Sequence, residues 1–261
     1  MEFFRTSYYI PEKNGKMLLR CRNDIVIHPR KNKLNWLGFR LLREHELIFV
    51  DNKDIKQVSF EYNRRIEKEP DNPGNYVIRG FCYYFMHRRE KAYEDFSAAI
   101  ALDEIEPYYY LCRAAIQRDN ERIEDLNRAI ALNDEYFDAY WLRALTYQSL
   151  DMKAKAIEDY SELLNIKGGY NPAYYNRGCC FYGLGDCYLA IKDFTTLIEM
   201  DEEDIMAVHC RGECYMKLCD YEKALEDFER AATWDDFGIE YRAECHNKLG
   251  NYEDAVEDYT T

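Results

Sequence analysis

Six arginines and six aspartates in this chain stand at spacings regular enough to share one task. Each arginine precedes a small residue: Arg79-Gly80, Arg113-Ala114, Arg143-Ala144, Arg177-Gly178, Arg211-Gly212 and Arg242-Ala243. Each aspartate precedes a large one: Asp95-Phe96, Asp125-Leu126, Asp159-Tyr160, Asp193-Phe194, Asp227-Phe228 and Asp258-Tyr259. The step from Arg to its Asp is 16 residues in five cases and 12 in one. Opposite charges at fixed spacing can polarise a bound substrate, or they can neutralise each other across two elements. Six copies favour the second chemistry, because a reaction centre needs one. Such a pair costs desolvation and fixes register more than it adds stability.

The ten cysteines are the other reactive set. Cys82, Cys180, Cys214 and Cys245 each fall three residues after the arginine, and Cys112 and Cys210 share another position. Cys210 and Cys214 lie one helical turn apart beside His209, and no CxxC occurs. Equivalent positions on stacked helices are about 8–10 Å apart, whereas zinc holds sulfur at about 2.3 Å. The cysteines therefore read as small buried hydrophobes, and no metal is expected. No Gly-rich phosphate loop, HExxH or nucleophile pattern is present, and His28, His45, His87, His209 and His246 are scattered. The reading is non-enzymatic, with no cofactor.

The elements that must hold these residues follow from the repeat itself. The arginine recurs at steps of 34, 30, 34, 34 and 31 residues. Between the signatures, apolar residues fall at helical spacing, as at Ala156, Tyr160 and Leu163 or Ala224, Phe228 and Ala231. Gly185-Asp186 and Gly250-Asn251 place a left-handed cap residue beside a helix start. Each unit is thus a helical hairpin that stacks on its neighbours to bury both faces.

The pattern resembles the tetratricopeptide repeat family. Tyr174, Gly178, Phe181, Leu184-Gly185, Ala190, Phe194 and Leu197 match its consensus in one repeat, and Tyr76, Gly80, Tyr83, Ala92, Phe96 and Ala99 in another. The resemblance implies an all-α, right-handed superhelical solenoid of antiparallel hairpins. Six repeats are expected over 73–261: 73–106, 107–136, 137–170, 171–204, 205–235 and an incomplete 236–261. The second is four residues short and has Arg122 where Ala is usual, so about two residues are expected to be missing from each arm. The sixth stops within its second helix, which suggests a fragment or a further partner at that end. Residues 1–35 lack the repeat. They suggest short strands at Tyr8-Tyr9-Ile10 and Met17-Leu18-Leu19 around Asn14-Gly15, and a third from Asp24 to Ile27. Residues 36–72 read as a degenerate capping hairpin.

The family lines a concave face with set positions of its first helices. The resemblance assigns these to Val77, Phe81, Tyr84 and Phe85, then Tyr108, Leu111 and Arg118, then Trp141. Tyr175 and Tyr182 follow, then Met206, His209 and Glu213, with Phe237, Glu240 and Glu244 last. One end is aromatic and the other acidic. The expected function is a protein- or peptide-binding scaffold whose partner carries a basic segment, unless residues 1–35 fill the groove themselves. The family's chaperone-peptide subtype needs Lys and Asn where Val77 and Phe81 stand, so it is disfavoured. Alternatives are a structural or oligomerisation module that self-associates through the open C-terminal repeat, or a regulatory arm of a larger protein.

Composition narrows the partners. The formal charge is −14, from 49 acidic and 35 basic residues. That balance disfavours nucleic acid and anionic membrane surfaces, both of which need clustered Lys and Arg. No targeting segment or membrane span is legible. The thiols then read as reduced, in a cytoplasmic compartment.

Overall fold

The computed structural model describes residues 19–20, 25–30, 33–40, 47–51, 55–232 and 236–260. The chain divides into two compact units, Met1–Leu142 and Arg143–Thr261.

The first unit opens on an antiparallel sheet of β1 (Leu19–Arg20), β2 (Ile25–Arg30), β3 (Lys33–Arg40) and β4 (Leu47–Asp51), in chain order. The β2–β3 register sets Ile25 opposite Phe39 and shifts between His28 and Arg30. Pro29 lies at that shift and has no N–H to give to a ladder. The strand expected over Asp24 to Ile27, ending at Pro29, instead runs over Ile25–Arg30. The expected hairpin around Asn14-Gly15 lies outside the described residues.

The sequence reading of 36–72 as a helical hairpin is corrected. The backbone runs there as β3, β4 and a single helix, α1 (Ile55–Lys68). Leu47-Ile48-Phe49-Val50 is a continuous run of apolar residues, most of them β-branched or aromatic, which suit a strand better than a helix. The helix α1 still keeps the repeat register. Tyr62, 34 residues before Phe96, is buried.

Helix pairs follow: α2 (Pro73–Phe85) with α3 (Arg89–Leu102), and α4 (Pro107–Ile116) with α5 (Asp119–Leu132). The helix α6 (Phe137–Ser149) spans the boundary between the units. The second unit continues with α7 (Lys153–Ile166), α8 (Asn171–Leu184), α9 (Cys187–Met200), α10 (Ile205–Lys217), α11 (Tyr221–Ala231), α12 (Asp236–Leu249) and α13 (Tyr252–Thr260). None of the described helices is long and apolar enough to cross a membrane.

Helix starts are set by local chemistry. Asn72 accepts from the Gly74 N–H with Pro73 at the first position, and Glu106 accepts from Tyr108 with Pro107 at the first position. Hairpin tips turn through one left-handed residue. It is Gly185 (φ 88°) and Gly250 (φ 85°) where the sequence shows glycine, but His87, Asp151 and Cys219 take φ near 59° at the matching tips. The next N–H reaches back to the first helix in every case, as Asp186 to Phe181 O at 2.9 Å and Asp220 to Tyr215 O at 3.0 Å.

The short second hairpin is built differently from the sequence expectation. The helix α5 keeps the full 14 residues, while α4 has 10 against 13 in α2. The loss therefore falls on the first helix and the turn, not on both arms. Gln117 and Arg118 are extended before Asp119 (φ 51°) starts α5. The missing turn leaves helix-end carbonyls uncovered. Arg122 fills that space, its Nε donating to Ala114 O at 3.1 Å and its Nη2 to Gln117 O at 2.5 Å. Elsewhere this position holds the buried alanines Ala92, Ala156, Ala190, Ala224 and Ala255.

The core explains why a small residue follows each arginine. A Cβ on Gly80, Gly178 or Gly212 would stand 2.8, 3.0 and 2.9 Å from the rings of Phe96, Phe194 and Phe228. The Phe96, Phe194 and Phe228 rings thus pack against the first helix at the point where the glycine leaves room.

Candidate functional site

The charged residues form a ladder within the hairpins. Arg79 donates from Nε to Asp95 Oδ2 at 2.9 Å and from Nη2 to Oδ1 at 2.6 Å. The same two-pronged pairing joins Arg113 to Asp125, Arg143 to Asp159, Arg177 to Asp193, Arg211 to Asp227 and Arg242 to Asp258. The planar guanidinium matches the carboxylate, which lysine could not do. Burial pushes the carboxyls of Asp95, Asp159 and Asp227 up, against the guanidinium beside them. Hydrogen bonding to the aspartate raises Arg79, Arg113, Arg211 and Arg242, so the arginine is the firmer charge of the pair.

A third partner was not legible in the spacing of Arg and Asp. The free Nη1 reaches back one repeat: Arg79 to Asn63 at 2.9 Å, Arg113 to Ser97 at 3.1 Å, Arg177 to Ser161 at 3.0 Å and Arg211 to Thr195 at 3.3 Å. Each acceptor stands two residues after the preceding aspartate position. Each of these four arginines therefore joins its own hairpin to the helix before it. The signal was present as a hydroxyl or amide side chain recurring at that register.

In the second unit the first helices α8, α10 and α12 lie side by side. Tyr175 Oη is 3.7 Å from Cys210 Sγ, and Tyr241 donates to Glu213 at 3.1 Å. Lys217 sits over the Tyr182 ring, 3.4 Å from its centroid. His209 meets Phe228 and Tyr241 edge-on at 5.5 and 5.0 Å. Tyr175, Tyr182, His209 and Glu213 are half-buried, Met206 is 60% exposed, and Glu240 and Glu244 are exposed. This face offers aromatic and thioether surface with a carboxylate rim.

The tetratricopeptide repeat model matches residues 137–170, 172–204 and 206–236. These residues are tetratricopeptide repeats. ETO1-like protein 2 of Arabidopsis thaliana is 33% identical over 110 residues, which is 40% of this chain and 11% of that protein. The chain thus spans about a tenth of that relative's length. Among solved structures, YrrB, described as a repeat protein with an unusual peptide-binding site, matches at 15% identity and TM-score 0.58, covering 78% of this chain and all of YrrB. A repeat protein from Parabacteroides merdae matches at 19% identity and TM-score 0.55, covering 80% of this chain and 85% of its own. Both likenesses concern the fold.

On these repeats the residues assigned to the groove divide by unit. In the first unit Val77, Phe81 and Tyr108 are buried, and Trp141 is only 4% exposed. The expectation that these four line an open groove is corrected. Val77, Phe81 and Tyr108 belong to the core, with Phe81 edge-on to Phe96 at 5.0 Å. Tyr84, Phe85 and Leu111 are half-buried and Arg118 is exposed. On the second unit none of the assigned residues is fully buried: Tyr175, Tyr182, His209 and Glu213 are half-buried and Met206 is exposed. The side chain of Phe237 lies outside the described residues. Among the described residues no group of three His, Cys, Asp or Glu is placed to hold a metal. Cys82, Cys180, Cys214 and Cys245 are buried free thiols, and burial pushes them up, Cys180 to about 11 and the others to about 12.

Proposed function

We propose that this chain is a non-catalytic, cytoplasmic scaffold that binds a protein or peptide along the first-helix face of its second unit. The observation that carries the reading is the accessible set of Tyr175, Tyr182 and Met206 beside Glu213, Glu240 and Glu244. Aromatic side chains dominate binding hot spots, and a carboxylate rim selects partners with a basic segment. The similar YrrB is described by its peptide-binding site, which agrees with this use of the fold. The test is a fluorescence-polarisation screen of peptides that combine Lys or Arg with an apolar anchor. Tyr182→Ala is expected to weaken a bound peptide about tenfold or more, equivalent to about 1.4 kcal/mol. Affinity should also fall as salt rises. Equal binding by the variant removes this face from the function.

A second reading is a structural module that self-associates through the sixth repeat. Its support is Tyr259, which is 59% exposed while the equivalent Phe96, Leu126, Tyr160, Phe194 and Phe228 are sealed. Tyr252 and Val256 continue that stripe on α13. Sedimentation that shows a monomer at high concentration would exclude it.

A further inference from the structure

On the first-helix face of the second unit one cation is already seated on an aromatic ring. Lys217, the last residue of α10, holds its Nζ 3.4 Å from the centroid of the Tyr182 ring on α8. The same ammonium donates to the Tyr182 carbonyl oxygen at 3.3 Å, so the ring and the backbone of one residue share it. Tyr182 lies in the last turn of α8, where the negative end of the helix dipole favours a cation. Glu213 stands one turn before Lys217 on α10, on the same side of that helix. Its carboxylate accepts from the Tyr241 hydroxyl of α12 at 3.1 Å. Three successive first helices thus supply a ring face, a carbonyl and a carboxylate to one stretch of surface.

We propose that Tyr182, with Glu213 beside it, is a site for a lysine side chain of the bound partner, and that Lys217 fills it in the free chain as a displaceable stand-in. The site rests on the reading of this face as a peptide-binding surface. The repeat register does not call for a cation there: the position of Lys217 holds Phe85, Ser149 and Gly183 in three earlier repeats. Lys217 is exposed, and a cation–π contact at an exposed place is weak. It therefore covers the ring without locking it. A partner lysine brings the same compact ammonium, suited to one ring face and one carbonyl oxygen. It also brings contacts of its own chain that Lys217 lacks. The carboxylates of Glu213, Glu240 and Glu244 draw it to this face.

Lys217 is then a brake on binding. Shortening it, as Lys217→Ala, leaves the Tyr182 ring and carbonyl open to an external ammonium. The variant should bind a lysine octapeptide about threefold or more tighter than wild type, the factor that a weak exposed cation–π contact represents. The gain needs the ring. Tyr182→Leu in the same chain should cancel it, while Tyr182→Phe should keep it, because the ring face and the backbone carbonyl both remain. A mere change of net charge is a different effect. Lys192→Ala removes the same charge from an exposed position on α9 and should not reproduce the gain.

Fluorescence anisotropy on the full chain measures these affinities, with a labelled lysine octapeptide and its fully Nζ-acetylated counterpart as probes. The gain of Lys217→Ala is expected for the first probe and not for the second. Carbon–proton correlation spectra of the wild type follow Lys217 directly. Its ε-methylene signal, identified by its loss in Lys217→Ala, should lie upfield of the other lysines because the ring current shields it. It should move back toward them as the octapeptide is added. If wild type and Lys217→Ala bind the octapeptide equally, the cation site is overturned and peptide binding by the face stands. A Lys217 signal that stays in place while the octapeptide binds has the same meaning. Failure of the scaffold reading looks different: neither the octapeptide nor any peptide with an apolar anchor binds, and the cation site falls with it.

Discussion

At the residue scale the repeated Arg–Asp pair is a buried carboxylate served by a guanidinium that also reaches the preceding repeat. Asp193 is among the least exposed charges in the second unit, and Arg177 is its bidentate partner. Arg177→Met should therefore cost about 3–5 kcal/mol, because it leaves a buried charge uncompensated. Removing both charges, as Arg177→Met with Asp193→Leu, should recover much of that loss. Urea unfolding of the three variants measures it. A single variant as stable as wild type would mean the pair is ornamental. The same scale explains the four cysteines after the arginines: they stand in a small apolar slot, and their thiols are disfavoured as thiolates by burial.

At the element scale two departures from the regular hairpin carry predictions. The helix α4 lacks its last turn, and Arg122 covers the carbonyls that the turn would have used. Arg122→Ala restores the common residue of the other repeats, yet it should destabilise by about 1.5–3 kcal/mol, since charged hydrogen bonds to buried carbonyls are lost. Thermal unfolding followed by circular dichroism tests this, and a stabilised variant would refute the capping role. The second departure is the left-handed tip residue that is not glycine. Cys219 holds φ 58° with a side chain attached. Cys219→Gly should stabilise by up to about 1–2 kcal/mol, the cost of that conformation for an L-residue, less the entropy that glycine adds to the unfolded chain. A lower denaturant midpoint would show that the tip is not strained.

At the scale of the whole molecule, buried acids with raised folded-state pKa values set the response to alkali. Cys82, Cys214 and Cys245 are pushed up to about 12 by burial, first among their causes. In the unfolded chain a thiol ionises near 8.5. Between those values the unfolded state releases protons that the folded state retains, so stability falls as pH rises. The contribution is intact below about 8.5 and is lost on the way to about 12. Replacing the three cysteines by alanine should flatten the decline of the melting temperature from pH 8 to 10.5, with tyrosines such as Tyr147 supplying the remainder. An unchanged slope would mean that other groups dominate.

What the sequence determined alone was whatever recurs. The 34-residue register reveals the helix pairs, the Arg–Asp pairing and the small residue under each ring, because each depends on neighbours at fixed offsets in one chain. Gly185 and Gly250 announced their left-handed turns, while His87, Asp151 and Cys219 did not, since their backbone is set by the hydrogen bonds of the closing hairpin. The same holds for Arg122, whose purpose appears only once α4 is seen to stop early. Surface was the least legible property. Val77, Phe81, Tyr108 and Trp141 occupy the same repeat positions as residues that are half-buried or exposed in the second unit, yet they are buried. Position in a repeat fixes which way a side chain leaves its helix. Whether water reaches it depends on the bulk of the neighbours that stack around it, which only the tertiary structure decides.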